Sequence, residues 1–246
     1  MRKKVGDYFQ DVYPDATPFV ETRARTDFKA ARRYAISLID IHDDKTGGTA
    51  GRPPVELEAL KRSALILAVT AWESFVEDTV QAQLEINLGK AITPDDMKSV
   101  FNTVANEWLG PNAERPKPPT LIQWTGDSWK KVILNSLEKE LKLFHTPNTE
   151  NTDELFDRYL GHANLSKVWS WQRVSAKQAP KRLDDLIKMR GRAVHIGKRG
   201  HPLTAPEPHI SRKSVVDALN LIYNLVHTTE KVLRIGPSIV PTPPPP

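Results

Sequence analysis

Lys188, Arg190, Arg192, His195, Lys198 and Arg199 fall within 12 consecutive residues of this 246-residue chain. An imidazole, whose ordinary pKa of ~6.5 lets it take or give a proton near neutral pH, stands there among guanidiniums that keep their charge and can hold anionic oxygens. The combination suits proton transfer beside an anion. The same residues also have a plain structural reading. Cations near a helix C-terminus offset the macrodipole by ~0.3–1 kcal/mol each, and Gly197 sits where a C-cap glycine falls. Spacing alone leaves both readings open.

Other chemistries find little support. The chain has no cysteine, so thiol nucleophiles, disulfides and zinc ribbons are excluded, and a reducing compartment, the cytoplasm, is the simplest expectation. His42, His145, His162, His201, His209 and His227 make no i,i+4 ligand pair, so neither a metal site nor a cofactor is expected. There is no glycine-rich phosphate loop, no Gly-x-Ser-x-Gly elbow and no kinase signature. Trp124, Trp129, Trp169 and Trp171 offer surfaces for base stacking, although large aromatics in helical proteins are usually core anchors. The formal net charge of +5, with a pI near 9.3, permits attraction to phosphate without demanding it.

The elements that must position these residues are helical. Apolar residues at three- and four-residue spacing predict a first helix over 19–41, carrying Phe28, Ala35, Ile36 and Ile39. A long second helix carries Leu57, Leu60, Ala64, Leu67, Ala68, Ala71, Phe75, Val76, Val80 and Leu84, and is expected to end at Gly89. Thr93, Pro94, Asp95 and Asp96 read as the cap and first turn of a helix reaching Trp108. Four prolines within 111–119 preclude a helix there. Amphipathic spacing predicts helices over 128–144 and from Thr152 to about Leu160, then 180–196 and 210–235. Only 238–240 carries any strand signal, and residues 241–246 form a proline-rich tail.

Composition agrees with a folded domain, since 39% of residues are hydrophobic and 26% charged. The N-terminus runs into Asp7, Asp11 and Asp15 rather than an apolar stretch, and the longest apolar run, 64–71, is far below the ~20 residues a bilayer needs. Neither a signal peptide nor membrane association is expected. The fold class is all-α: one antiparallel helical bundle over 1–240, with a helical and proline-rich middle segment inserted at about 90–165.

Arg190, four intervening residues and His195, placed in the penultimate helix, resemble the Arg-x(4–6)-His signature of the HEPN superfamily. The segment 60–80, with Ala71, Trp72, Glu73, Ser74, Phe75, Val76 and Glu77, is similar to the early helix of the RiboL-PSP-type HEPN group. The likeness spans roughly 55–233. The family commonly has Asn, Asp or His after the arginine, where this chain has Gly191.

The resemblance implies metal-independent RNA cleavage in a cleft at a homodimer interface, with Arg190 and His195 as the catalytic pair. His195 would take the proton of a ribose 2′-OH as that oxygen attacks the adjacent phosphorus. Arg190 would hold the charge that gathers on the phosphorane oxygens. The products would be a 2′,3′-cyclic phosphate and a 5′-OH, and DNA would survive. On a regular helix, positions five apart sit ~140° apart, so a cleft shared by two protomers, or a distorted turn, is needed to bring the pair together.

Arg192, three residues before His195, is the nearer neighbour and would bind phosphate or keep the imidazole neutral; otherwise it is a solvated cation. Lys198 and Arg199 are candidate RNA-backbone contacts, or plain surface charges. Glu73, one turn from Glu77, would orient the catalytic arginine, or else serve in a structural salt bridge. A toxin or antiviral effector with an antitoxin or defence-system partner is the biological setting the resemblance implies. A catalytically silent HEPN module that binds RNA, nucleotide or a partner protein is the alternative.

Overall fold

The computed structural model describes residues 22–47, 54–110, 121–194 and 210–235. Among the described residues there are seven α-helices: α1 (Arg23–Thr46), α2 (Val55–Lys90), α3 (Lys98–Leu109), α4 (Ser128–Leu141), α5 (Thr149–Leu160), α6 (Gln178–Val194) and α7 (Arg212–Ile235). No strand occurs among them; the one isolated bridge, Trp171 to Val174, closes a turn in which Arg173 takes φ 66°. The fold is all-α. The expected strand signal at 238–240, the tail at 241–246 and the proline run at 111–119 lie outside the described residues.

The physical centre is α2. Its 36 residues span roughly 54 Å at about 1.5 Å per residue. It is buried on several sides at once, because α1, α4, α5, α6 and α7 all pack on it. Ala64, Ala68, Ala71 and Phe75 form one buried row and Leu65, Val69, Trp72, Val76 and Val80 another. A helix lined in this way belongs in a core, not on a surface.

Around that shaft, α1 returns antiparallel, with the rings of Phe28 and Phe75 in an edge contact 6.0 Å apart. The Thr22 hydroxyl caps α1 by accepting from the Arg25 amide at 3.2 Å, and Gly47, at φ 56°, ends the helix in a conformation that favours glycine. Next, α7 runs opposite to α1. The Arg212 guanidinium forks onto Asp43 at 2.7 and 2.8 Å near one end, and Glu230 meets Arg25 at the other. The fourth wall, α6, buries Ala179, Leu183, Leu186 and Ala193.

Several boundaries differ from the sequence reading. The second helix does not stop at Gly89 but continues to Lys90, where the Lys130 ammonium from α4 satisfies the terminal Ala91 carbonyl at 2.7 Å. The cap at Thr93 is as expected, with the Asp96 carboxylate accepting the Ile92 and Thr93 amides at 2.8 Å, but a short 3-10 turn, Pro94–Met97, precedes α3. The fifth helix starts at Thr149, three residues early, because Asn148 supplies the cap at 2.8 Å and Thr152 is buried inside it. Phe144 lies beyond the end of α4, buried in the next turn. In α6, Pro180 sits in the first turn, where its missing N–H costs nothing.

Candidate functional site

On α6, the apolar row Leu183, Leu186 and Ala193 faces the core, and Arg190 is partly buried between that row and solvent. Its Nε is shielded from water and has no hydrogen-bond partner. Arg192, two positions and therefore ~200° further round the helix, is exposed. Between them a Cβ on Gly191 would meet nothing within 4 Å. The other three sequence candidates, His195, Lys198 and Arg199, and the C-cap candidate Gly197, lie outside the described residues.

The charge of Arg190 reaches Glu73. Both α2 glutamates, Glu73 and Glu77, are half-buried. Burial pushes the Glu73 carboxyl above its ordinary range, while the nearby charges of Arg190 and His145 pull it back down. Burial also raises Glu77, to about 7, with repulsion from Glu73 and Asp78 adding to the shift. Among the described residues no hydrogen bond or ion pair joins Glu73 to Arg190, so the two groups are coupled through space and remain open to a third party.

His145 had no role in the sequence reading, and nothing in its spacing signals one. It lies 72 residues beyond Glu73 and 45 before Arg190. Its placement follows from the turn after α4. Phe144 and Pro147 are buried on either side of the exposed His145. The indole of Trp72, the residue before Glu73, donates to the Pro147 carbonyl at 3.0 Å in the core. Two residues on, the Thr149 amide donates to Asp184 of α6 at 2.9 Å and its hydroxyl donates to the Pro180 carbonyl at 3.1 Å. The turn is thus fastened to both helices that carry the site.

The remaining candidates separate cleanly. Trp129 and Trp169 are fully buried and unable to stack on a base; Trp169 packs edge-on against Trp72 at 5.9 Å and donates to Thr229 at 3.0 Å. Trp124 packs edge-on against Phe101 at 5.4 Å and Trp108 at 5.7 Å, and Trp171 is only partly buried. No group of three His, Cys, Asp or Glu side chains among the described residues could hold a metal ion. A cavity of about 600 Å³ lies at the far end of α2, lined by Asn87, Lys90, Lys98 and His162. Asn87 is 14 residues, or ~21 Å, from Glu73 along the helix.

The all-α bundle is built around a long central helix, with Arg190 on its penultimate helix. The chain belongs to the RiboL-PSP-HEPN family, whose model matches residues 28–234. The same comparison made against curated proteins, and against solved structures, finds no significant match. HEPN domains are often ribonucleases and commonly bind RNA and dimerise, so membership points to a nuclease or another RNA-related function. No helix among the described residues is long and apolar enough to cross a membrane.

Proposed function

We propose that this chain is a metal-independent endoribonuclease that cuts RNA by 2′-OH attack. The observation that carries the reading is Arg190, held half-buried beside Glu73 with its Nε dry and without a partner. A guanidinium in that state has already lost part of its hydration and can give its donors to phosphate oxygens as charge builds up there. Glu73 aims it without saturating it. His195, five residues on, takes the 2′-OH proton, and the cleft is shared by two protomers of a homodimer. Arg192, Lys198 and Arg199 contact the RNA backbone.

The protein acts in the cytoplasm as one helical domain with an insertion at about 90–165, in a toxin–antitoxin or antiviral defence setting. The test compares wild type, Arg190→Ala and His195→Ala on single-stranded RNA with EDTA present, alongside a DNA control and a solution mass measurement. Wild type leaves 2′,3′-cyclic phosphate ends, and each substitution slows cleavage by ~10²–10⁴-fold. Equal cleavage by all three, or an obligate monomer, refutes the reading. A second reading, a silent module that binds RNA, nucleotide or a partner protein without cutting, is favoured by the open space at Gly191, where no side chain flanks the motif.

A further inference from the structure

We infer that His145 is a second proton-transfer residue of this site, the one that protonates the leaving oxygen. The inference rests on the ribonuclease reading above and adds a residue to it from a different part of the chain.

Cleavage by 2′-OH attack needs two proton movements. One group takes the proton from the 2′-oxygen as the new O2′–P bond forms. Another gives a proton to the 5′-oxygen as the P–O5′ bond breaks, leaving a 2′,3′-cyclic phosphate on one fragment and a 5′-OH on the other. With His195 as the acceptor, the donor must be a group able to release a proton near neutral pH and placed on the same cluster as Arg190. Imidazole is such a group.

Three observations select His145. It is the described histidine whose charge acts, with that of Arg190, on the Glu73 carboxylate. Its ring is exposed, so a substrate can reach it. Its backbone is fixed: buried Phe144 and Pro147 flank it, Trp72 holds the Pro147 carbonyl, and the Asn151 side-chain amide donates to the Thr146 carbonyl at 2.7 Å. A turn anchored to α2 and α6 gives the exposed imidazole a fixed backbone from which to reach a substrate. The other described histidines are not among the charges that act on Glu73, and His227 on α7 is partly buried. His42 is buried beside Asp43 at the far end of α1, and His162 lines the distant cavity.

The experiment uses full-length protein and two RNA oligonucleotides that are identical except at the linkage wild type cuts. One has the natural 5′-oxygen and the other a bridging 5′-sulfur, which departs as a thiolate without needing a proton. His145→Ala is expected to slow the oxygen substrate by ~10²–10⁴-fold and to recover to within ~10-fold of wild type on the sulfur substrate. His195→Ala stays slow on both, because the 2′-OH still needs its acceptor. His145→Gln, which cannot release a proton, follows His145→Ala, and the melting temperatures of both match wild type. If His145→Ala cuts the oxygen substrate at the wild-type rate, or is equally slow on both substrates, the assignment is overturned while the ribonuclease reading stands. A wild type that cuts neither substrate overturns both.

Discussion

Two arginine–glutamate encounters in this bundle differ in nearly every physical respect. At the α1–α7 seam, the Arg25 guanidinium closes directly onto Glu230, with side-chain exposures of 1% and 6%. The Thr22 hydroxyl donates to the same carboxylate at 3.2 Å, and the Tyr223 ring lies 5.9 Å from Arg25 and 4.7 Å from Arg32. At the α2–α6 seam, Arg190 and Glu73 are half-buried and attract one another without a bond, and the neighbouring Glu77 is raised to about 7. The first pair is enclosed, with its two charges matched and sequestered, and it locks helix ends together. The second keeps a dehydrated cation and two reluctant acids at the edge of solvent.

The largest effect that sharpens this contrast is expected at the closed pair. Arg25→Ala or Glu230→Ala takes one member out of a buried ion pair, which costs ~3–5 kcal/mol and lowers the melting temperature by roughly 6–20 °C. Calorimetry checks this, and a shift below about 2 °C would mean the pair locks nothing. Next comes Arg190→Ala, which leaves the melting temperature within about 2 °C of wild type but reduces RNA cleavage by ~10²–10³-fold, ~2.7–4 kcal/mol of transition-state stabilisation. Destabilisation on the scale of Arg25→Ala would erase the distinction.

A smaller effect concerns Glu77. Below its ordinary pKa of 4.5 it is protonated in folded and unfolded chains alike, whereas between 4.5 and about 7 the unfolded chain releases its proton and the folded chain retains it. Its contribution to stability therefore falls as pH rises through that window and levels off above about 7. Glu77→Gln raises the melting temperature by roughly 2–4 °C at pH 8, about 1 kcal/mol once solvent screening is allowed for, and leaves it unchanged at pH 4. A lower melting temperature for the variant at pH 8 would show that Glu77 is satisfied after all. The smallest effect is at Gly191, where Gly191→Ala adds helix propensity in open space and stabilises by ~0.5–1 kcal/mol. Denaturant titration reads it, and a loss of stability would mean the helix yields at that position.

The seven helices were legible because their apolar residues recur at three and four, most clearly from Ala64 to Leu84 in α2, where burial follows the pattern closely. Helix ends were less legible, because they depend on groups remote in sequence or on competition between adjacent caps. Gly89 looks like a terminator, yet α2 runs on to Lys90 and Ala91 takes the cap, its carbonyl met by Lys130 from α4. Thr152 looks like a cap, yet Asn148 four residues earlier takes that role. At the site, Arg190 and Glu73 could be singled out from motif and helical context. His145 could not, since it reaches the cluster through a turn fixed by Trp72, a tertiary hydrogen bond with no periodic trace in the sequence.

The two buried rows of α2 also indicate where, among the described residues, amide hydrogens are expected to exchange slowly. Opening the stretch from Ala68 to Val80 uncovers both apolar rows, so local fraying is expected to leave those N–H groups protected. Hydrogen–deuterium exchange checks this, with their protection expected to approach that set by global unfolding. Glu73 and Glu77 are therefore mounted on a firmly held backbone, and motion at this seam falls to the elements that face them.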